Sequence, residues 1–130
     1  MNDRFKFRVW DKPLEKYMEF KEFRFMNVEF TFNPITKEAE IEYDKERYIV
    51  EQCTGLKDKN GKLIYEGDIM EHRIYLGNPE LYVVKWSESV NGWVYQDARN
   101  SLKTSYILTE FTDSIIGNIH ENQELLKESK

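Results

Sequence analysis

The chain has 130 residues, of which 40% are apolar, 15% aromatic and 33% charged, which suits one domain and excludes two large ones. That apolar share fills a core and argues against disorder. Twenty-four acidic against nineteen basic side chains give a net charge of −5, so a polyanion is repelled unless the basic groups gather on one face.

From residue 4 to 9 the order Arg-Phe-Lys-Phe-Arg-Val alternates strictly. The spacing predicts a strand with Phe5, Phe7 and Val9 on one face and Arg4, Lys6 and Arg8 on the other. Trp10 breaks the phase, and Asp11-Lys12-Pro13 closes the strand because proline supplies no ladder donor. Between residues 17 and 32, Phe20, Phe23, Phe25, Phe30 and Phe32 alternate with one slip, which predicts two strands or one bulged strand. Asn33-Pro34 marks a turn. Residues 38–43 set Ala39, Ile41 and Tyr43 between Glu38, Glu40 and Glu42 and read as a strand with an acidic outer face. A helix over 35–47 competes, since Lys37 to Glu40 are fair helix formers; the strand is preferred.

Residues 47–54 mix Tyr, Ile, Val and Thr and predict another strand. Asp58-Lys59-Asn60-Gly61 predicts a hairpin turn in which Asn60 and Gly61 both take positive φ, with a return strand over 62–65. Gly67 supplies a bend or bulge before a strand over 69–76. Gly77-Asn78-Pro79 and Asn91-Gly92 then bracket strands at 81–86 and 93–95, the spacing of a meander. The stretch with Ser101, Thr104, Ser105 and Thr109 carries no clear period. Residues 114–119 predict a last strand, and Asn122 a cap for a short helix containing Leu125 and Leu126.

The expected fold is therefore mainly β: a small barrel or packed antiparallel sheets of short strands, with a short C-terminal helix. It is expected as one domain over 1–130, within which 1–50 and 51–130 are candidate subdomains sharing a core. The longest apolar runs are a few residues, and the first fifteen residues hold four basic side chains and no apolar block. Neither a membrane span nor a secretory signal is expected, which points to the cytoplasm.

Chemistry-bearing residues are sparse. Cys53, the single cysteine, excludes an intrachain disulfide and a thiolate zinc cluster. With Glu51 near and no basic neighbour in sequence, it reads as a buried packing residue. Asp58, Glu66 and Asp68 would suit a hard divalent cation, but their spacing fails the calcium loop and turn residues are polar for backbone reasons alone. His72 and His120 have acidic neighbours in Glu71 and Glu121, yet no nucleophile is placed beside either ring. Gly55, Gly61 and Gly67 match no phosphate-cradling loop. No catalytic, cofactor-binding or metal residue is assigned, no cofactor is expected, and the chain is not read as an enzyme.

One candidate binding surface remains: Arg4, Lys6 and Arg8 joined by Lys57, Lys59 and Lys62 in a basic patch beside Trp10 and Tyr65. Small barrels bind single-stranded nucleic acid by stacking bases on aromatic rings along such a groove. The preferred reading is a solvated strand face paired with Glu38, Glu40 and Glu42, since opposite charges stabilise neighbouring strands.

The block from Gln52 to Ile69, Gln-Cys-Thr-Gly-Leu-Lys-Asp-Lys-Asn-Gly-Lys-Leu-Ile-Tyr-Glu-Gly-Asp-Ile, resembles the central signature of the YopX family of phage and prophage proteins. Phe7-Arg8-Val9-Trp10-Asp11 resembles the family's opening segment, and Ile116 to Asn122 with Leu125-Leu126 its close. The family more usually has an aromatic residue at Cys53 and a proline at Gln123. The resemblance implies a protein of phage or prophage in Gram-positive bacteria, cytoplasmic and homo-oligomeric, with no established activity and no site residue to carry over. The expected function is a non-enzymatic interaction module that self-associates or binds a host or phage protein. Single-stranded nucleic-acid binding through the basic face is the alternative.

Overall fold

A computed structural model describes residues 6–19, 29–36, 38–42, 44–73, 77–99 and 105–127. Arg4, Phe5, Phe20, Phe23, Phe25, Tyr43, Ser101, Thr104 and the 74–76 end of an expected strand lie outside the described residues. Contacts divide the chain into two compact units, residues 7–51 and residues 1–6 with 52–130. The chain is mainly β.

The unit 7–51 contains β1 (Phe7–Asp11), β2 (Lys16–Glu19), β3 (Glu29–Asn33), β4 (Glu38–Glu42) and the start of β5 (Tyr48–Lys57). β2 pairs antiparallel with β1, Val9 opposite Met18 and Trp10 opposite Tyr17, and β1 lies beside β5. β3 and β4 form an antiparallel hairpin from Glu29↔Glu42 to Asn33↔Glu38, around the Asn33-Pro34 turn. Residues 38–42 are thus strand, and the competing helix is absent there. Val9 and Tyr48 form the core of this unit, with Met18 and Val50 against them.

Burial along β1 departs from strict alternation, because Val9, Trp10 and Asp11 are all buried. Tyr17 packs edge-on against Trp10, ring centroids 4.9 Å apart. The Arg47 guanidinium covers Asp11 at 3.0 Å. That hydrogen bond outweighs burial and holds the Asp11 carboxyl below its ordinary range.

The other unit carries the end of β5, then β6 (Leu63–Tyr65), β7 (Asp68–His72), β8 (Glu80–Ser87), β9 (Gly92–Asp97), β10 (Tyr106–Ile107) and β11 (Ser114–Asn118). β5 and β6 form a hairpin whose register shifts between Cys53↔Tyr65 and Lys57↔Leu63. The remaining strands make an antiparallel sheet in the order β10-β9-β8-β7-β11. Ile64, Met70, Tyr82, Val84, Tyr95 and Leu108 form its core, with Leu56, Trp93 and Ile115 packed on them.

Two local expectations need correction. In the β5–β6 turn Gly61 takes positive φ, 82°, but Asn60 does not. The Asp58 carboxylate accepts the N–H groups of Asn60 and Lys62 instead, building an Asx turn in place of a two-residue hairpin loop. At the C-terminal end the helix is a single 3-10 turn, Gln123–Leu126, and Asn122 does not cap it. The Asn122 side chain faces backwards and accepts the N–H of Asn118.

Candidate functional site

In an antiparallel pair, residues directly opposite one another project from the same face. His72 lies opposite Glu80, Met70 opposite Tyr82, Val84 opposite Tyr95, and Tyr95 opposite Tyr106. One face of the sheet therefore gathers an imidazole, a carboxylate and three phenols. They line an open cleft of about 430 Å³, completed by Ile107, Thr109, Thr112 and Asp113. That volume lies within the range of ligand-binding clefts.

The tyrosines are positioned in different ways. Tyr82 and Tyr95 are buried, their centroids 5.6 Å apart. Tyr106, 57% exposed on the edge strand β10, meets Tyr82 edge to face, centroids 6.2 Å apart and planes at 85°. Ile107 beside it is 69% exposed. The Tyr82 hydroxyl donates to the Glu80 carboxylate, and the Tyr95 hydroxyl donates to the Thr109 carbonyl at 3.1 Å. Burial first, and for Tyr82 the Glu80 carboxylate second, push both phenols above their ordinary pKa. Both remain neutral donors at physiological pH.

The opposite wall is the loop 108–113. Asp113 is buried and its Oδ1 lies 2.7 Å from Nδ1 of His72, whose side chain is 51% exposed. The Thr109 and Thr112 hydroxyls share a 2.7 Å hydrogen bond. The loop is tied to the β5–β6 turn: the Phe111 N–H donates to the Lys57 carbonyl, the Lys59 N–H to the Asp113 carbonyl, and the Lys57 N–H to the Glu110 carboxylate. A carboxylate against one imidazole nitrogen fixes ring orientation, as in general bases and in polar docking sites alike.

The residues singled out in the sequence do not make this cleft. Lys57, Lys59 and Lys62 are exposed around the β5–β6 turn, Tyr65 is half-buried opposite Cys53, and Lys6 is exposed with its carbonyl accepting the Cys53 N–H. Trp10, expected as an exposed stacking ring, is buried beneath Tyr17. Arg8, expected on a wet face, is half-buried. Its guanidinium lies 4.6 Å over the Tyr17 ring, and its Nε donates to the buried Glu51 carboxylate at 2.9 Å. Arg4 lies outside the described residues.

Asp58 and Asp68 serve the backbone: Asp58 accepts three N–H groups, and Asp68 accepts that of Tyr65. Among the described residues no group of three or more His, Cys, Asp and Glu is arranged to hold a metal. No helix among them is long and apolar enough to cross a membrane. Cys53 is fully buried, as expected of a packing residue.

The tyrosine cleft was partly legible. The Asn91-Gly92 turn sets the β8–β9 register, and counting back from it aligns Val84 with Tyr95. The His72–Asp113 pair spans 41 residues and has no local signal.

The fold is similar to those of two crystal structures. Protein EF1440 from Enterococcus faecalis is 26% identical, with 94% of this chain and 97% of that chain covered and a TM-score of 0.56. Protein yopX from Bacillus subtilis is 18% identical with both chains fully covered and a TM-score of 0.56, a likeness of fold. No curated protein matches the chain. The family described as YopX protein matches residues 6–127, so the chain belongs to the YopX family.

Proposed function

We propose that the chain is a non-enzymatic interaction module of phage or prophage origin, acting in the bacterial cytoplasm as a homo-oligomer that holds a host or phage protein in the tyrosine cleft. The observation that carries this reading is the concave site beside Tyr106 and Ile107, large side chains more than half exposed on an edge strand. Tyrosine is enriched where proteins meet, because a rigid ring buries much area at low entropy cost and its hydroxyl tolerates water. Open strand edges add backbone donors and acceptors for a partner. Self-association is supported by a second apolar patch, where Trp86 and Val90 are exposed at the β8–β9 turn and Trp86 packs on Trp93 with centroids 5.3 Å apart.

Light scattering on the eluting protein is expected to give a multiple of the 15.7 kDa chain, falling to one chain on Trp86→Arg. A photo-crosslinking side chain at Ile107 in host cells is expected to yield a discrete adduct that Tyr106→Asp removes. A monomer that forms no adduct would overturn the reading.

A further inference from the structure

The unit 7–51 contains a complete three-residue arrangement. The Tyr17 hydroxyl and the Arg8 Nε both donate to Oε1 of Glu51 at 2.9 Å, while the Arg8 guanidinium lies 4.6 Å over the Tyr17 ring. Phenol, carboxylate and guanidinium satisfy one another: the ring face attracts the cation, and the shared carboxylate fixes both partners.

The cleft holds two members of the same set. The Tyr82 hydroxyl donates to Glu80, and Tyr106 stands at 85° to Tyr82 as a second aromatic wall. Among the described residues no lysine or arginine lines the cleft. Taking the cleft as the protein-docking site proposed above, we infer that it receives an arginine side chain of the partner, its guanidinium against the Tyr106 ring and its N–H groups donating to Glu80.

Four properties of the site select this group. A carboxylate has about four lone-pair positions; Tyr82 takes one, and Glu80 is an exposed residue. Asp113, the other carboxylate, is engaged by His72, so Glu80 is the anchor. Two acidic residues disfavour phosphate or an acidic peptide and favour a cation. The guanidinium is planar, weakly hydrated and forked, so it stacks on a ring and bonds a carboxylate together, whereas ammonium is a strongly hydrated point charge.

The test is a titration of the isotopically labelled full chain, followed by amide NMR, with blocked peptides Gly-Arg-Gly, Gly-citrulline-Gly and Gly-Lys-Gly. The arginine peptide is expected to shift the amides of Glu80, Tyr82, Tyr106 and Ile107. It is expected to bind about tenfold tighter than its neutral citrulline isostere. Glu80→Gln, which keeps an acceptor for Tyr82, should bring arginine down to the citrulline affinity. Tyr106→Leu, which keeps an apolar wall, should weaken arginine severalfold. Equal affinities for arginine and citrulline, equal affinities for arginine and lysine, or shifts confined to another face would each overturn the arginine assignment. So would the absence of binding, while an adduct from Ile107 in cells would still uphold the docking site.

Discussion

The buried Asp58 carboxylate accepts the backbone N–H of Ile115, 57 residues further along the chain, at 3.0 Å. Its other oxygen takes the N–H groups of Asn60 and Lys62, each at 2.9 Å. One side chain thus closes the β5–β6 turn and pins the start of β11, immediately after Asp113. Burial alone would raise this carboxyl, but the three N–H donors outweigh it and its pKa lies below the ordinary 3.8.

Asp58→Asn is expected to destabilise the protein at neutral pH by about 1–3 kcal/mol, because the amide nitrogen leaves one buried N–H unsatisfied. A depressed folded pKa contributes stability that is present above the ordinary carboxylate value and lost as pH falls through the folded value. The gap between wild type and variant should therefore narrow as pH drops below 3.8. Urea unfolding at neutral and acid pH measures it, and a gap independent of pH would contradict the assignment.

Gly117 is fixed by what it touches. A Cβ there would lie 2.5 Å from Cγ and 2.9 Å from Cβ of Asn122, the residue whose Oδ1 accepts the Asn118 N–H. Because the Asn122 Cβ cannot swing away, Gly117→Ala is expected to cost about 1–3 kcal/mol. Asn122→Gly gives up the hydrogen bond but opens the space. The double variant should be more stable than the sum of the single losses; strict additivity in thermal melts would refute the clash.

The strands were legible where apolar and polar residues alternate in the sequence, as from Glu38 to Glu42, and where an Asn-Gly pair separates two runs of aromatic and β-branched residues, as in the β8–β9 hairpin. β10 was not, since two residues are too few to show a period and its pairing comes from Tyr95 and Val94. The Asn91-Gly92 and Asn60-Gly61 turns were placed correctly, but which residue takes positive φ was not readable. Asn91 does so in the first and Gly61 in the second, because the Asp58 side chain has taken over the backbone donors of its turn. Trp10 and Arg8 are less exposed than the sequence of their own strand suggests for a common reason: Tyr17 on β2 and Glu51 on β5 cover them from outside it.

Phe111 adopts φ 63° with its ring more than half exposed, a left-handed conformation that bulky residues rarely accept. The geometry is held by its N–H donating to the Lys57 carbonyl at 2.9 Å. Asparagine tolerates this region and keeps the N–H. Phe111→Asn is therefore expected to stabilise the protein by roughly 1 kcal/mol, seen as a higher midpoint in urea, while Phe111→Val should lower it. A lower midpoint for the asparagine variant would show that the ring contributes more than the backbone strain costs.

Tyr82 links the cleft to alkaline stability. Its phenol is raised above the ordinary 10.0, first by burial and then by the Glu80 carboxylate that accepts its proton in a hydrogen bond. A group with a raised folded pKa contributes stability that is intact below the unfolded value and lost as pH climbs toward the folded one, because only the unfolded chain releases the proton in that window. Wild-type stability should thus fall above pH 10.0. Tyr82→Phe should begin lower, having lost the bond to Glu80, and then fall less steeply with pH, since Tyr95 alone of the two raised phenols remains. Urea midpoints across that window distinguish the slopes; identical slopes would place the alkaline loss in groups other than Tyr82.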